Sequence, residues 1–425
     1  MNNRRVSQAV ILAGGKATRL SSVNGDSPKI LTEINGISIL EDQIKQLVGA
    51  KVTNILLLLG HGAEEIIAKA QLLESSLEIK INTLEEALPL GTGGAVINAF
   101  QLGYLEPFFI LIHGDIVFRT EIAKFIEFFE NNESQGSIVV HPSSHIFDSD
   151  LVELSENQIV RKIHTKPRTF QPLIRNLGNA GIYIFSRELF VLGELLNSDL
   201  DRNLLPRFIS SGVKILGYRN VGYIRDMGTV ERLNEVKSQL AKIESRQKRS
   251  AVFLDRDGTL NVHKGHIQDF NEITLYQDAI DLIKRCNQDR ILVLIVTNQP
   301  VIARGDATYN DLSNIHAKID ILLGEYGAYI DDYLVCPHYP ESGFPGEVES
   351  LKIQCECRKP KTALVDEAVQ RYNIDLDRSM FIGDTWRDFE TGLNVGIESL
   401  LIDRSLPYSC YPVLSSLHEV TLLNH

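Results

Sequence analysis

Short, almost purely apolar runs separated by stretches of helical spacing recur along this chain. Gln8 to Leu12, Asn54 to Leu59, Phe108 to Ile112 and Ser137 to Val140 read as strands buried on both faces. Between them, Ile39 to Val48 and Ala63 to Leu73 repeat apolar residues three and four apart, which predicts helices. Such alternation predicts a mostly parallel, doubly wound α/β sheet with helices on both faces, and ligands beyond the C-terminal strand ends. The same grammar restarts at Ala251 to Leu254 and continues through Ile291 to Val296 and Met380 to Gly383. Between the two series, Val230 to Gln247 reads as one helix with Leu233, Val236 and Leu240 on one face, turning polar and basic toward Arg249. The pattern predicts two α/β domains, 1–240 and 250–425, joined by a linker at 241–249.

Composition narrows the classes. A chain of 425 residues exceeds one ordinary core, and 44% hydrophobic with 23% charged residues lets each half bury its own. A formal net charge of −12, without a basic face, argues against nucleic acid as partner. Five cysteines are too few for a disulfide framework, and three of them, Cys336, Cys355 and Cys357, cluster with His338, which points to a metal. The start, MNNRRVSQAVILAGG, has an apolar stretch of a few residues ending in a glycine turn, so it reads as a first strand and not a signal peptide. No run reaches the ~18 apolar residues of a membrane span, so a cytoplasmic protein without membrane contact is expected. No heptad or apolar stripe speaks to oligomeric state, and a homo-oligomer stays among the options.

In the first half, the opening strand empties into Leu12-Ala13-Gly14-Gly15-Lys16-Ala17-Thr18-Arg19-Leu20. Glycines there let backbone N–H groups approach phosphate oxygens, with Arg19 and Lys29 supplying positive charge. A second glycine-rich turn, Leu90-Gly91-Thr92-Gly93-Gly94, opens a helix and suits a flat base. Asp115, in His113-Gly114-Asp115, and Asp226, before Gly228-Thr229, are hard oxygen ligands at strand ends, as Mg²⁺ prefers. In combination these motifs, with Asn179-Ala180-Gly181, resemble the sugar-1-phosphate nucleotidyltransferases from about Ala9 to Leu233. The resemblance implies attack of a sugar 1-phosphate on the α-phosphorus of a nucleoside triphosphate, with Mg²⁺ between Asp115 and Asp226. It further implies Arg19 and Lys29 on the triphosphate and Lys166 on the sugar phosphate, with Asn179 and Gly181 at the sugar. Two positions depart from the family pattern: Ala17 replaces a third glycine, and Ile30 replaces the second proline of Pro-Lys-Pro.

The second half carries a different phosphate chemistry. Asp255 and Asp257 follow a strand two residues apart, so one can attack phosphorus while the other moves the proton. Thr297 and Asn298 close the next strand, Lys359 adds a cation, and Asp384 with Asp388 adds carboxylates for Mg²⁺ beside Asp255 and Asp257. The set resembles the four motifs of the haloacid dehalogenase superfamily from Ala251 to about Ile402. About 40 residues from Asp255 to Thr297 and about 60 from there to Lys359 leave no room for a sizeable cap, which predicts an open site. Cys336, His338, Cys355 and Cys357 form a tetrahedral set for structural Zn²⁺ that would fix Arg358 and Lys359. CPHYPESGFPGE, CECRKPK and Arg304 narrow the resemblance to zinc-containing histidinol-phosphate and heptose-bisphosphate phosphatases, nearest the latter, with Pro300-Val301 in place of Ser-Gly.

A phosphatase that took the anomeric phosphate would destroy its neighbour's substrate. Removal of the distal phosphate from a sugar bisphosphate avoids this. The two resemblances together imply a bifunctional enzyme: 7-phosphate removal from D-glycero-D-manno-heptose 1,7-bisphosphate, then nucleotidyl transfer, with GTP favoured, giving GDP-heptose. Other sugars, a histidinol-phosphate-type phosphatase with a ligand-binding first half, and a channelling scaffold are the competing readings. The residues alone do not choose the base or the anomer.

Overall fold

The computed structural model describes residues 4–15, 25–168, 171–191, 198–244, 248–407 and 410–422. It divides into two compact units, the first made of 1–141, 149–168 and 177–244, and the second of 142–148, 169–176 and 245–425.

The strands of the first unit are β1 (Gln8–Leu12), β2 (Asn54–Leu59), β3 (Lys80–Glu85), β4 (Phe108–His113), β5 (Ile116–Arg119), β6 (Gly136–His141), β7 (Leu151–Leu154), β8 (Val160–His164), β9 (Gly178–Ser186), β10 (Ile215–Arg219) and β11 (Tyr223–Asp226). Its main sheet runs β8-β7-β9-β4-β1-β2-β3, with β6 pairing β9 and β10. The centre β4-β1-β2-β3 is parallel, as the apolar runs predict, but β9 lies antiparallel to β4. Alternation along β1 splits the core between two faces. Ala9 and Ile11 join α1 (Ile39–Gly49), α2 (Ala63–Leu77) and α6 (Val230–Glu244) on one side. Val10 packs with Val96 and Ile97 of α3 (Gly91–Gln101) on the other. Helices α4 (Ile122–Asn131) and α5 (Leu205–Ser210) complete the layers. Each of these fully buried aliphatic side chains contributes roughly 1.5–3 kcal/mol, so the sheet centre is rigid and its strand ends are fixed points. The chain leaves β1 toward β2 and β3, then returns to β4 on the other side. That reversal opens a crevice at the carboxyl ends of β1 and β4.

The second unit has one sheet of β12 (Ala251–Leu254), β13 (Leu292–Asn298), β14 (Asp332–Cys336), β15 (Met380–Gly383), β16 (Glu398–Ile402) and β17 (Val413–Leu414), in the order β14-β13-β12-β15-β16-β17 and parallel throughout. Helices α7 (Gln277–Gln288), α8 (Val301–Arg304), α9 (Tyr309–Gly324), α10 (Ala363–Tyr372) and α11 (Trp386–Val395) accompany it. Because β12 is flanked by β13 and β15, the chain beyond Leu254, Asn298 and Gly383 emerges side by side. Segments 142–148 and 169–176 belong to this unit: Ile146 is fully buried, and Asp320 of α9, 1% exposed, accepts hydrogen bonds from Arg175 Nε at 2.7 Å, Asn176 N at 2.9 Å and Tyr333 Oη at 2.8 Å. The Arg175 guanidinium lies over the Tyr333 ring at 4.1 Å, and His316 stacks on that ring at 4.2 Å.

Helix α6 ends at Glu244, and residues 245–247 of the expected longer helix lie outside the described residues. Among the described residues, no helix is long and apolar enough to cross a membrane.

Candidate active sites

In the first unit, the crevice beyond β1 and β4 is a cavity of about 370 Å³ lined by Leu12, Ala13, Gly14, Gly15, Lys29 and Asp115, among others. Gly91 and Thr92 border it as well. The Lys29 ammonium donates to Asp115 Oδ2 at 2.6 Å. Burial pushes the Asp115 carboxyl up, and Lys29 with His113 more than reverses this, holding it below the usual carboxylate range. Strand β11 pairs with β5 so that Asp226 stands opposite Ile116, and Met227 N donates to the Asp115 carbonyl at 2.8 Å. The two aspartates, far apart in sequence, thus occupy one strand end, but Asp226 gives its Oδ1 to Arg232 at 2.5 Å. Arg19 lies outside the described residues.

The glycine turn at α3 packs against the backbone around Ser198. Gly93 N and Gly94 N both donate to the Ser198 carbonyl, at 2.7 and 3.0 Å, and Thr92 Oγ1 accepts from Leu200 N at 2.8 Å. Those two first-turn amides are therefore satisfied within the protein.

Sequence reading missed Glu86, which also lines the cavity. Its Oε2 accepts from Leu90 N at 3.0 Å, while its Oε1 stands 3.2 Å from where a side chain on Gly14 would begin. Only a glycine lets the loop after β1 pass so close to that carboxylate. Asp201 was missed too. It accepts from Asn179 Nδ2 at 2.7 Å and Tyr183 Oη at 2.5 Å, and its Oδ2 lies 3.6 Å from His113 Nε2. Asn179 Oδ1 takes the Gly181 N–H at 3.0 Å, so both sugar-side candidates hang on this network. Lys166 N donates to Asp150 Oδ1 at 2.7 Å, placing Lys166 beside another acid.

In the second unit, Lys359 is 4% exposed and is the hub. Its ammonium contacts Asp255 Oδ1 and Asp388 Oδ1, both at 2.5 Å, and the Val296 carbonyl at 2.7 Å. Those two carboxylates outweigh burial and raise its pKa, so it stays charged. Asn298 clamps the backbone of Lys359, accepting from its N–H at 3.1 Å and donating to its carbonyl at 3.2 Å. Burial pushes Asp255 up to about 7 against the pull of Lys359, with Asp388 and Asp257 pushing the same way. Asp384 is pushed up to about 6, by burial first and Asp388 next. Ligand oxygens of Asp255, Asp384 and Asp388 lie within 4.8 Å of one another, a grouping that fits a divalent cation. Gly258, at φ +94°, makes room for it, since a Cβ there would collide with Asp384 Oδ2. Asp257 behaves differently. Burial raises it, but Arg256 first, then Asn261 and Gln299, hold it below the usual range. Arg256 is fully buried beneath it, at 2.6 Å.

Cys336, His338, Cys355 and Cys357 converge at the end of β14. Cys357 Sγ lies 3.2 Å from Cys336 Sγ, 3.3 Å from Cys355 Sγ and 3.1 Å from His338 Nδ1, and all four donor atoms lie within 4.8 Å. Burial first, then the neighbouring Cys336 and Cys355 sulfurs, push the Cys357 thiol up. From this loop, Tyr339 lies beneath two expected substrate cations, Arg304 at 4.3 Å and Arg358 at 5.3 Å. Arg304 Nη1 also meets His266 Nε2 at 2.7 Å, and Arg358 Nη1 donates to the His338 carbonyl at 3.2 Å. Val301 turns away from the site into a small apolar cluster with Ile302 and Leu312.

Comparison with known proteins follows this division. The family described as nucleotidyl transferase matches residues 8–243, and one described as HAD-hydrolase-like matches 356–405. The chain is 33% identical over 158 residues to the D-glycero-beta-D-manno-heptose-1,7-bisphosphate 7-phosphatase of Haemophilus ducreyi, covering 37% of this chain and 84% of that protein. It is 31% identical over 153 residues to the enzyme of the same name from Escherichia coli strain K12, covering 36% and 78%. Among solved structures, HddC from Yersinia pseudotuberculosis in complex with GMP-PN is similar at 27% identity and a TM-score of 0.47, covering 55% of this chain and all of that one.

Proposed function

This chain belongs to the nucleotidyl transferase family and also to the heptose-bisphosphate phosphatases, and from that premise we propose that it performs two consecutive steps of nucleotide-heptose synthesis. It is a bifunctional transferase and hydrolase. In this reading the second unit removes the 7-phosphate of D-glycero-D-manno-heptose 1,7-bisphosphate. The first then joins the heptose 1-phosphate to the guanylyl group of GTP, releasing pyrophosphate. The observation that carries it is the coexistence of two phosphate sites on one chain, because only a phosphatase that spares the anomeric phosphate leaves its neighbour a substrate.

For hydrolysis, an Asp255 oxygen bonds to phosphorus as the ester P–O bond breaks, and the departing sugar oxygen takes a proton from Asp257, whose protonated form the negative charge of the bound phosphate favours. Water then attacks the aspartyl phosphate, returns a proton to Asp257 and frees phosphate. Lys359 and Thr297 would hold the phosphoryl oxygens. Mg²⁺ would be held by Asp384 with Asp255, Asp257 and Asp388, and would neutralise charge there. For transfer, a phosphate oxygen of the sugar attacks the α-phosphorus of GTP and the bond to the pyrophosphate oxygen breaks. Lys29 and Arg19 stabilise the charge that develops; Asp115 and Asp226 would hold Mg²⁺, which would neutralise charge on the triphosphate. The proposed division is 1–240 for transfer and 250–425 for hydrolysis, joined at 241–249.

Glu86 favours guanine. Guanine presents two adjacent N–H donors, which match a carboxylate bidentately, whereas adenine pairs one donor with an acceptor. Glu86→Gln should cut kcat/KM for GTP by about 10- to 100-fold, the worth of one bidentate contact. ITP, lacking the exocyclic amine, should be a poorer substrate than GTP in the wild type but not in the variant. Unchanged GTP preference in Glu86→Gln would remove the guanine assignment.

Zinc is the metal we assign to the cysteine–histidine cluster. Cys357→Ser should release about one equivalent of zinc per chain, read by elemental analysis, and should lower the melting temperature of the second unit. A wild-type protein without zinc would refute the assignment. The overall reading is tested by supplying heptose 1,7-bisphosphate, GTP and Mg²⁺. Phosphate, pyrophosphate and GDP-heptose are expected, and phosphate without GDP-heptose would sink the bifunctional reading.

A further inference from the structure

Gln299 follows Thr297 and Asn298 at the end of β13 and has so far appeared only as one of the groups around Asp257. It is 4% exposed. Its side-chain nitrogen donates to Asp257 Oδ2 at 3.0 Å and to Thr297 Oγ1 at 2.8 Å, while its backbone N–H donates to the Cys336 carbonyl at 2.8 Å. An amide nitrogen carries two hydrogens, and both are thereby committed. One consequence falls on Thr297, itself 1% exposed. Its hydroxyl accepts from Gln299, so its own single hydrogen is free to point at a phosphoryl oxygen.

The other consequence falls on Asp257. Arg256 grips it through Nε at 3.1 Å and Nη2 at 2.6 Å, and Asn261 Nδ2 meets Oδ1 at 3.0 Å. Those contacts come from residues within four positions of it in sequence. Gln299 supplies a contact from the end of the neighbouring strand and so sets the carboxylate relative to the phosphate pocket. We propose that Gln299 is a positioning residue for phosphate-ester hydrolysis, orienting with one amide group both the proton-transferring carboxylate and the phosphate-binding hydroxyl. The proposal rests on reading the Asp255 site as a phosphatase.

The step it serves is departure of the sugar oxygen. As Asp255 bonds to phosphorus, the electron pair of the breaking ester bond stays on that oxygen, which takes a proton from Asp257. A leaving group stable as an anion does not need the proton, and this separates positioning from mere packing.

Gln299→Leu keeps bulk and removes both side-chain bonds. Against heptose 1,7-bisphosphate its kcat should fall about 100-fold, within the range of general acid–base catalysis. Against p-nitrophenyl phosphate, whose leaving group needs no proton, it should fall only about threefold, with KM little changed for either. Gln299→Glu, which keeps length but turns a donor into an acceptor facing Asp257, should show the same divergence. Nucleotidyl transfer by both variants reports intact folding of the chain, and circular dichroism reports the second unit. Should Gln299→Leu fail to fold, Gln299→Glu carries the comparison. Equal losses on the two substrates, or no loss on the bisphosphate, would overturn the role of Gln299 while leaving the phosphatase reading in place. A wild type that releases phosphate from neither compound would overturn both.

Discussion

Asp255→Asn should lose phosphate release by about four orders of magnitude or more while nucleotidyl transfer continues at the wild-type rate. The amide cannot form the acyl phosphate, and no other described carboxylate stands in its place at the end of β12. The fold should survive, because Lys359 keeps its contacts with Asp388 at 2.5 Å and the Val296 carbonyl at 2.7 Å. The variant also relieves part of the cost of packing several carboxylates together, so its melting temperature should not fall. Two assays on one preparation decide the matter: phosphate from the bisphosphate, and pyrophosphate from GTP with heptose 1-phosphate. Residual hydrolysis near the wild-type rate would mean another nucleophile. Loss of both activities would mean that the sites are not independent.

The largest effect on stability should come from a residue with no catalytic role. Asp320→Ala strands the mostly buried Arg175 guanidinium and leaves Asn176 N and Tyr333 Oη without the acceptor they share. Breaking a buried pair by removing one partner costs roughly 3–5 kcal/mol. For a unit of this size that lowers the melting temperature by roughly 6–20 °C. Replacing Arg175 and Asp320 together by Met and Leu should recover much of the loss, since no charge is then left stranded. Differential scanning calorimetry that follows the second unit's transition reads both variants. A shift under about 2 °C for Asp320→Ala would show that water reaches Arg175 and that the pair is not structural.

The centres of both sheets were legible because strands buried on both faces are continuous apolar runs. Gln8 to Leu12 and Asn54 to Leu59 are strands with those bounds. The direction of β9 was not legible, since the run Gly178–Ser186 looks the same whichever way it enters the sheet. At the sites, Asp255, Asp257 and Asp384 were legible because each is announced by an apolar strand followed by a glycine. Glu86 carries no such announcement: it reaches Gly14 only because β3 pairs with β2, and β2 with β1. Gln299 gave no signal of its own, because nothing local says that its amide reaches back 42 residues to Asp257. Asp201 was silent for the same reason, lying beyond the Asn179 motif whose amide it receives. Packing partners set by tertiary contact leave no periodic trace.

The membership of residues 142–148 and 169–176 in the second unit has a consequence for synthesis. A ribosome delivers Ile146, Arg175 and Asn176 long before β12, so these residues are made before the sheet of the unit they join. A gene cut at the 241–249 linker would leave the downstream product's Asp320 with Tyr333 but without Arg175 and Asn176. A cut there would therefore deprive the second unit of two of its own segments.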